Sequence, residues 1–261
     1  MKKQWKNWLA ALMLALPLSA NASGSGHYEH VDIDLGDQVS LQRGAQIFAN
    51  YCLSCHSASG MRYNRLQDLG LSEDEIRKNL MFTTDKTGDV MQSAMRPEDA
   101  KRWFGAEPPD LTLIARSRGA DYLYAYLRGF YKDPSCPTGW NNLVFDKVGM
   151  PHPLWEQQGI RAVELDSKGQ PVMVKDAHGN LVPKLYWEST GLHSRRLPNG
   201  EVSAKEFDRY AKDLVAYLVY MGEPAQLQRK QIGYGVLLFL FAIMLPLAYF
   251  LKKEYWKDVQ H

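Results

Sequence analysis

The sequence predicts a mainly α-helical domain with a small β insertion, followed by one C-terminal transmembrane helix. Three patterns predict this fold class: amphipathic helical segments, an alternating and turn-rich stretch between residues 160 and 202, and a long uncharged apolar run near the C-terminus. A length of 261 residues suits one domain or one and a half, and 45% hydrophobic residues are ordinary for a globular protein. The formal net charge of +2 gives no electrostatic reason to expect a nucleic-acid partner.

Residues 1–22 have the pattern of a secretory signal peptide. A basic start is followed by a short apolar run, and Ala20-Asn21-Ala22 has the small-x-small form that signal peptidase cleaves. We therefore expect cleavage after Ala22. The alternative interpretation is an uncleaved anchor helix, for which the apolar run is short.

Residues 232–251 form a run of 20 residues without a charge. At about 1.5 Å rise per residue, this run spans roughly 30 Å, the thickness of the hydrocarbon core of a bilayer. We predict a transmembrane anchor helix over residues 229–251, inside which lipid-embedded helices tolerate a proline such as Pro246. A buried core helix is the alternative interpretation.

The charges that flank the anchor nearly balance, so they do not fix its orientation. The predicted signal peptide fixes it, because it exports the chain until the second apolar run stops transfer. Residues 23–228 are therefore expected in the periplasm and residues 252–261 in the cytoplasm, with a single crossing of the inner membrane.

Helical patterns in the exported part have recognisable starts and faces. The helices are predicted to begin near Gln38, after Ser72, at Gly119 and after Ser203. Glu75 stands three residues after Ser72, which is the spacing of a capping box. Glu206 has the same spacing from Ser203, so Ser203 is predicted as the N-cap of the last helix. The third helix is expected to run over residues 119–131.

The stretch CLSCH, from Cys52 through Cys55 to His56, fits the Cys-x-x-Cys-His pattern of a covalent c-type haem site. Two cysteines on one turn can each form a thioether to a vinyl group, and the adjacent histidine reaches the iron from the same side. A redox dithiol shares the cysteine spacing but belongs in a βαβ setting, whereas a helix leads into this motif. A four-ligand zinc site needs another Cys or His pair at close spacing, and only Cys136 remains.

Met150 is the predicted second axial ligand. It lies in a loop beside Pro151 and Pro153, which restrict the backbone. A thioether ligand at an electron-transfer haem needs such a rigid loop, because a change of redox state should not move the ligand. His152 is the alternative ligand in the same loop. Histidine with methionine ligation fills both axial positions, so the site is expected to carry electrons rather than to transform a substrate.

The chain resembles the cytochrome c1 family, the haem subunit of the quinol:cytochrome c oxidoreductase. The resemblance covers nearly the whole chain and is carried by YCLSCHS, PPDLTLIARSRGADYLYAYLRGFY, VGMPHPL, DLVAYLVYMGEP and MLPLAYFLKKEYW. It implies a class I cytochrome c-like haem domain with one covalently attached haem c. The residues that would bind the haem or its iron are Cys52, Cys55, His56 and Met150.

The resemblance also implies further cofactor-binding residues. Arg118 matches an arginine that pairs with a haem propionate, and Arg116 is the second candidate. A guanidinium suits a partly buried carboxylate because it is always charged and binds in a bidentate way. The Pro108-Pro109 segment is expected to border the haem beside His56, where a backbone carbonyl can orient the imidazole.

Helix packing and the third cysteine complete what the resemblance implies. Gly44 and Phe48 match the helix-crossing positions of the fold, and Gly44 would let the first helix approach the last one near Tyr217. Some members of the family carry a disulfide in the exported domain. Here Cys136 is the one cysteine left once the haem takes two, so we expect a free or packed thiol.

The resemblance implies an electron-transfer subunit that is not an enzyme on its own. It would accept one electron from a mobile Rieske iron–sulfur protein, pass it to a soluble cytochrome c, and pack its anchor on a cytochrome b subunit of the respiratory complex. One alternative is a haem subunit of another membrane complex, such as a terminal oxidase, or an anchored carrier without partners. Another is a haem sensor or peroxidase in which Met150 is labile.

Overall fold

The computed structural model describes residues 28–176 and 178–257. The predicted signal peptide and its cleavage after Ala22 lie outside the described residues. Residues 28–37 lead into the first helix without regular secondary structure.

The helices of the described chain follow the predicted order, with some additions. The α-helices are α1 (Gln38–Ile47), α2 (Glu73–Asn79), α3 (Pro97–Phe104), α4 (Ile114–Arg118), α5 (Ala120–Arg128), α6 (Trp155–Gln158), α7 (Lys205–Gly222), α8 (Gln226–Phe239) and α9 (Leu245–Tyr255). A 3₁₀ helix, Tyr63–Leu69, precedes α2. A π-helical turn, Phe48–Cys52, extends α1 into the cysteine motif, and a second one, Leu240–Met244, joins α8 to α9.

The strands of the described chain are short. They are β1 (Ala58–Arg62), β2 (Val90–Met91), β3 (Phe130–Lys132), β4 (Trp140–Asn142), β5 (Gly159–Val163), β6 (Met173–Lys175), β7 (Leu181–Pro183), β8 (Leu185–Thr190), β9 (Arg195–Arg196) and β10 (Val202–Ser203). One sheet has the order β4-β3-β5-β8, and β1–β2, β6–β7 and β9–β10 form separate antiparallel pairs. The predicted β insertion is confirmed, but it is not self-contained, because β5 pairs in parallel with β3 through Ala162 and Lys132.

The capping box predicted at Ser72 is confirmed. The Ser72 Oγ accepts the Glu75 N–H at 3.3 Å, and the Glu75 carboxylate accepts the Ser72 N–H at 2.8 Å. The box predicted at Ser203 is wrong. Ser203 pairs with Arg195 between β10 and β9, and α7 starts after Ala204 without a side-chain cap. Strand pairing with a distant segment therefore overrides the local capping signal.

The helix predicted over residues 119–131 is shorter than expected. It ends at Arg128, and Phe130 begins strand β3, which pairs with β4. Gly129 follows the helix, and a Cβ there would lie 2.7 Å from the Asn142 side chain. The chain turns at this glycine, so Phe130 packs in the core from a strand rather than from the helix face.

The core lies where α1 crosses α7, as predicted for Gly44. A Cβ on Gly44 would lie 2.1 Å from the Asp213 carbonyl oxygen, so only glycine permits this approach. The Asp213 carboxylate, buried at this crossing, accepts hydrogen bonds from the Arg43 Nε and the Ser40 Oγ, both at 2.6 Å. Phe48 packs beside this crossing and is 1% exposed.

Helices α8 and α9 form one continuous helix, Gln226–Tyr255, which is long and apolar enough to span a membrane. None of its residues is buried against the rest of the described chain. The π-helical turn lies just before Pro246, whose ring would clash with a carbonyl in a regular helix. Residues 223–225 connect this helix to α7, and the Glu223 carboxylate pairs with Arg229 and, at 3.4 Å, with Arg116.

Candidate haem-binding site

The motif residues lie where α1 widens and then turns. The Leu53 N–H donates to the Phe48 carbonyl at 3.0 Å, and the His56 N–H donates to the Cys52 carbonyl at 2.8 Å. This turn brings Cys52, Cys55 and His56 together, and all three residues are half-buried. Neither cysteine forms a disulfide. Burial, with a smaller effect of Cys55, raises the pKa of Cys52 to about 12, so its thiol is neutral.

His56 is oriented by a backbone carbonyl. The Pro109 oxygen lies 2.8 Å from the His56 Nδ1. Because a carbonyl only accepts, Nδ1 carries the hydrogen of this bond, and Nε2 is left with its lone pair. Burial lowers the pKa of His56 against the opposing effects of the Pro109 carbonyl and the Asp110 charge. The imidazole is therefore in the neutral form that binds a metal.

Asp110 holds the Pro109 segment in place. Its carboxylate accepts the Ser59 N–H at 2.7 Å and the Thr112 N–H at 2.8 Å. Burial raises the pKa of Asp110, but the hydrogen bonds from Thr112 and Ser59 together lower it by more than burial raises it. The pKa of Asp110 therefore lies below its usual value. An ionised Asp110 thus joins the segment after Pro109 to the chain that leaves the motif, and the carbonyl stays aimed at His56.

Met150 lies in the loop before α6 and is half-buried. Its Sδ accepts a hydrogen bond from the Tyr126 Oη at 3.7 Å. The methionines buried in the core are Met61, Met81, Met91 and Met221. Outside the apolar helix, Met95 is the other half-buried methionine among the described residues, and it lies just before α3 rather than directly before a proline.

His152, the alternative ligand, is occupied by other contacts. It is 3% exposed, and its Nε2 lies 2.7 Å from the Gln158 Oε1. The Leu154 N–H donates to its Nδ1 at 3.4 Å. Both ring nitrogens are therefore used inside the protein. Burial lowers the pKa of His152 to about 3, so the ring is neutral. This arrangement favours Met150 over His152 as the ligand.

Tyr126 is held by aromatic neighbours on both sides. Its ring stacks on Tyr122 at 6.0 Å and meets the edge of Phe130 at 5.2 Å. Burial raises the pKa of Tyr126 above its usual range, so the hydroxyl keeps its hydrogen. The hydroxyl can therefore donate to the Met150 sulfur, which is a weak acceptor.

The two arginine candidates have different partners. Arg116 pairs with Glu223 at 3.4 Å, and its side-chain stem lies against Gly222 at the end of α7. Arg118 is exposed and lies over the Tyr122 ring at 5.6 Å. Within residues 28–176 and 178–257, Arg118 has no carboxylate partner. Arg118 is therefore the candidate that remains available to an external carboxylate.

The donor set fits one covalently bound haem c. Two unbridged thiols on one turn, a neutral imidazole with one open nitrogen and a thioether in a proline-rich loop are the groups that such a haem requires. No three His, Cys, Asp or Glu side chains of the described chain are grouped to hold a metal ion. A helix rather than a strand leads into the motif. Neither the zinc nor the dithiol interpretation is favoured by this geometry.

Cys136 is a packed thiol, as expected. It is 8% exposed, forms no disulfide, and its Sγ contacts the Asp133 carboxylate at 3.7 Å. Burial, followed by the nearby charge of Asp133, raises the pKa of this thiol.

Three residues of this site were not identified from the sequence. Tyr126 has the spacing of an ordinary apolar helix face, and Gln158 has no local signal that it accepts from His152. Asp110 alone carries a local signal, because an aspartate that precedes a turn often accepts the N–H two residues on.

A model of the Cytochrome C1 family matches residues 33–202 and 198–259. The match includes the cysteine motif, Pro109, the Met150 loop and the apolar C-terminal helix.

Similar proteins span nearly the whole chain. The "Ammonia monooxygenase gamma subunit" of Nitrosomonas europaea is 48% identical over 252 residues, which are 96% of this chain and 97% of that protein. The "Cytochrome c1" of Allochromatium vinosum is 46% identical over 253 residues, 96% of this chain and 98% of that protein. The "Cytochrome b/c1" of Bradyrhizobium diazoefficiens is 28% identical over 251 residues, 85% of this chain and 34% of that protein.

Proposed function

Because the chain belongs to the cytochrome c1 family, we propose that it accepts single electrons from a Rieske iron–sulfur protein and passes them to a soluble cytochrome c. As a member of this family, it is an electron-transfer subunit of a cytochrome bc1 complex with a covalently bound haem c. The observation that carries this proposal is that each of the two ligand candidates is held by a neighbouring residue. His56 is oriented by Pro109, and Met150 is held in a proline-rich loop at Tyr126.

When bound, the haem supplies a one-electron iron couple. Cys52 and Cys55 would hold it through thioethers, while the His56 Nε2 and the Met150 Sδ would ligate its iron. Each of these two side chains has a hydrogen bond to its own neighbour, which would hold it in place between oxidation states. With both His56 and Met150 bound to the iron, the site would favour electron transfer over peroxidase or sensor chemistry.

Arg118 would face a haem propionate, and Arg116 would not. The support is the difference in their partners, since Arg116 already pairs with Glu223 and Arg118 has no ion pair in the described chain. A guanidinium binds a carboxylate in a bidentate way and remains charged at any physiological pH. Pro109 would contribute through its carbonyl, which orients His56.

The chain is membrane-anchored, and we propose the arrangement that its sequence pattern predicts. Residues 1–22 would be removed as a signal peptide, residues 23–228 would form the periplasmic haem domain, residues 229–251 would cross the inner membrane, and residues 252–261 would be cytoplasmic. The continuous apolar helix Gln226–Tyr255 supports the crossing. Cytochrome b is a partner in the membrane complex of this family, and the anchor would be the surface that packs on it.

A second candidate function follows from one relative. The protein of Nitrosomonas europaea with 48% identity bears the name of a monooxygenase subunit. On that basis the chain would exchange electrons with a membrane-bound monooxygenase instead of a Rieske protein. The same ligand residues would serve, so partners rather than site geometry distinguish the two functions.

The test is purification of the tagged full-length chain from its native membranes in mild detergent. We expect a haem-stained band that brings down cytochrome b and a Rieske protein, with quinol-dependent reduction of added soluble cytochrome c. Co-purification of monooxygenase subunits without quinol activity would favour the second candidate. A haem-stained chain that purifies without quinol activity and without cytochrome b would overturn the proposed role.

A further inference from the structure

We propose that His152 is a positioning residue for Met150, through a chain of hydrogen bonds that ties the Met150 loop to the C-terminal end of α5. The inference rests on the proposed function only in that Met150 is taken as the axial ligand. His152 itself would touch neither the haem nor its iron, because both of its ring nitrogens already have partners.

The hydrogen bonds of His152 determine which of its ring nitrogens donates and which accepts. The Leu154 N–H donates to Nδ1 at 3.4 Å, so Nδ1 must be the acceptor. Nε2 therefore carries the hydrogen and donates it to the Gln158 Oε1 at 2.7 Å. This choice leaves the Gln158 amide nitrogen as a donor, and it reaches the Arg128 carbonyl at 3.3 Å. Only one choice of donor and acceptor roles for the His152 ring and the Gln158 amide allows all three hydrogen bonds to form.

Aromatic packing fixes the plane of the imidazole. The ring of Phe130 lies parallel to it, with centroids 4.7 Å apart and an interplanar angle of 3°. Trp140 meets it edge-on at 5.3 Å. Together with the 3% exposure of His152, these contacts hold the ring in the plane in which it makes its hydrogen bonds.

The loop depends on this side chain because its own backbone makes few hydrogen bonds. Pro151 and Pro153 have no N–H to donate. In the described chain, no backbone–backbone hydrogen bond outside helices and strands involves residues 149–153. The imidazole therefore supplies the polar tie that the backbone lacks, one residue beyond the proline that follows Met150.

The hydrogen-bond chain from His152 ends on α5, the helix that also carries Tyr126. Gln158 donates to the carbonyl of Arg128, the last residue of α5, and the Tyr126 hydroxyl projects from α5 to the Met150 sulfur. The loop and the hydroxyl are thus held against one helix. A shift of the loop would change the distance between Met150 and Tyr126 as well as the position of the sulfur.

The test replaces His152 by phenylalanine in the haem-loaded full-length protein. The phenyl ring keeps the stack on Phe130 but loses both hydrogen bonds. We expect exogenous imidazole to displace Met150 from the oxidised protein about tenfold faster, since two buried hydrogen bonds no longer hold the loop. The sulfur-to-iron charge-transfer band is expected to weaken, and the midpoint potential to fall.

Gln158→Leu provides a second variant that keeps the histidine and removes its acceptor, and it should give the same acceleration. His193→Phe is the matched control, because the His193 ring stacks on Tyr210 and takes no part in the hydrogen bonds that join His152, Gln158 and Arg128. The rate at which imidazole displaces Met150 in this variant should equal that of the natural protein. Unchanged imidazole binding in both His152→Phe and Gln158→Leu would overturn the positioning role.

Met150→Leu separates this inference from the ligand assignment. If Met150→Leu removes the charge-transfer band but the His152 and Gln158 variants behave as the natural protein, the ligand assignment stands and the positioning role fails. If Met150→Leu leaves the band intact, the ligand assignment itself is wrong, and Met95→Leu identifies the other half-buried methionine as the ligand or excludes it.

Discussion

Gly44 on α1 and Tyr217 on α7 lie at the closest approach of two helices: a Cβ on Gly44 would stand 2.7 Å from the Tyr217 Cβ. The same Cβ would lie 2.1 Å from the Asp213 carbonyl oxygen. Since that oxygen belongs to a helix backbone, it cannot rotate away as a side chain could. The two helices would have to separate to admit any residue larger than glycine.

Gly44→Ala is therefore expected to lower the free energy of unfolding by about 3 kcal/mol, because overpacking costs more than the ~1 kcal/mol that alanine gains in a helix. Chemical denaturation of the haem-loaded protein measures this change. Gly88→Ala is the matched control, since a Cβ there meets no atom of the described chain within 4 Å. An equal decrease in the free energy of unfolding in both variants would contradict the conclusion that the helix crossing requires glycine at position 44.

The buried carboxylate of Asp213 gives a second prediction. It is 7% exposed and accepts from the Arg43 guanidinium and the Ser40 hydroxyl. Asp213→Asn should destabilise the protein by about 3 kcal/mol, because the new amide hydrogens face the Arg43 donors in a buried site. Asp74→Asn breaks an exposed ion pair with Lys78, and the expected change in the free energy of unfolding is below about 0.5 kcal/mol. Comparable unfolding curves for the two variants would rule out a structural role for the Asp213 carboxylate.

The hydroxyl of Tyr126 gives a third prediction, for the reduction potential. Tyr126→Phe removes the donor to the Met150 sulfur. As the proposed iron ligand, that sulfur would then give more electron density to the oxidised iron. We expect the midpoint potential to fall by roughly 20 mV, the equivalent of a weak hydrogen bond of ~0.5 kcal/mol in a one-electron couple. A redox titration of the purified protein measures the shift. Tyr122→Phe is the control, because Tyr122 stacks on Tyr126 without a hydrogen bond to Met150 in the described chain. A fall of the same size in the control would assign the effect to the stack.

The two arginines give a fourth prediction. Arg118→Gln is expected to lower the midpoint potential less at high salt than at low salt, because it removes a charge that is exposed and therefore screened by ions. Arg116→Gln should leave the potential nearly unchanged and instead loosen the segment at residues 223–225, since Arg116 pairs with Glu223. Redox titration at two ionic strengths and limited proteolysis measure the two effects. The reverse pattern would make Arg116 the residue nearer the propionate.

Much of the helical fold is predictable from the sequence because it depends on local signals. The box at Ser72 needs only Glu75, which stands three residues away in the sequence. The crossing at Gly44 is not a local signal and is expected only from the resemblance. The strands are different. Ser203 enters β10 because Arg195 pairs with it, and no pattern around Ser203 announces that partner. Phe130 leaves its helix for the same reason, since β3 exists only where β4 and β5 pair with it.

The same distinction between local and long-range signals applies to the candidate site. The motif and the proline-rich loop are continuous in sequence, so their residues can be identified by inspection. The contacts that orient them join residues far apart, such as His56 with Pro109 and Met150 with Tyr126. Such pairs depend on how α1, α4 and α5 pack, and a single sequence does not contain that packing in readable form. The Gln158 contact is the clearest case, because a glutamine in a short helix has no pattern of its own.

Residues 223–225 form a short connection between the haem domain and the anchor helix, and this connection limits the movement of the domain. Three residues reach about 10 Å even when fully extended, and Glu223 is held on one side by Arg116 and on the other by Arg229. A domain on a long flexible tether can travel between its partners, but this domain has no such range. Under the proposed function, the electron donor and the electron acceptor would therefore have to approach the haem domain, because the short connection to the anchor helix limits how far that domain can move.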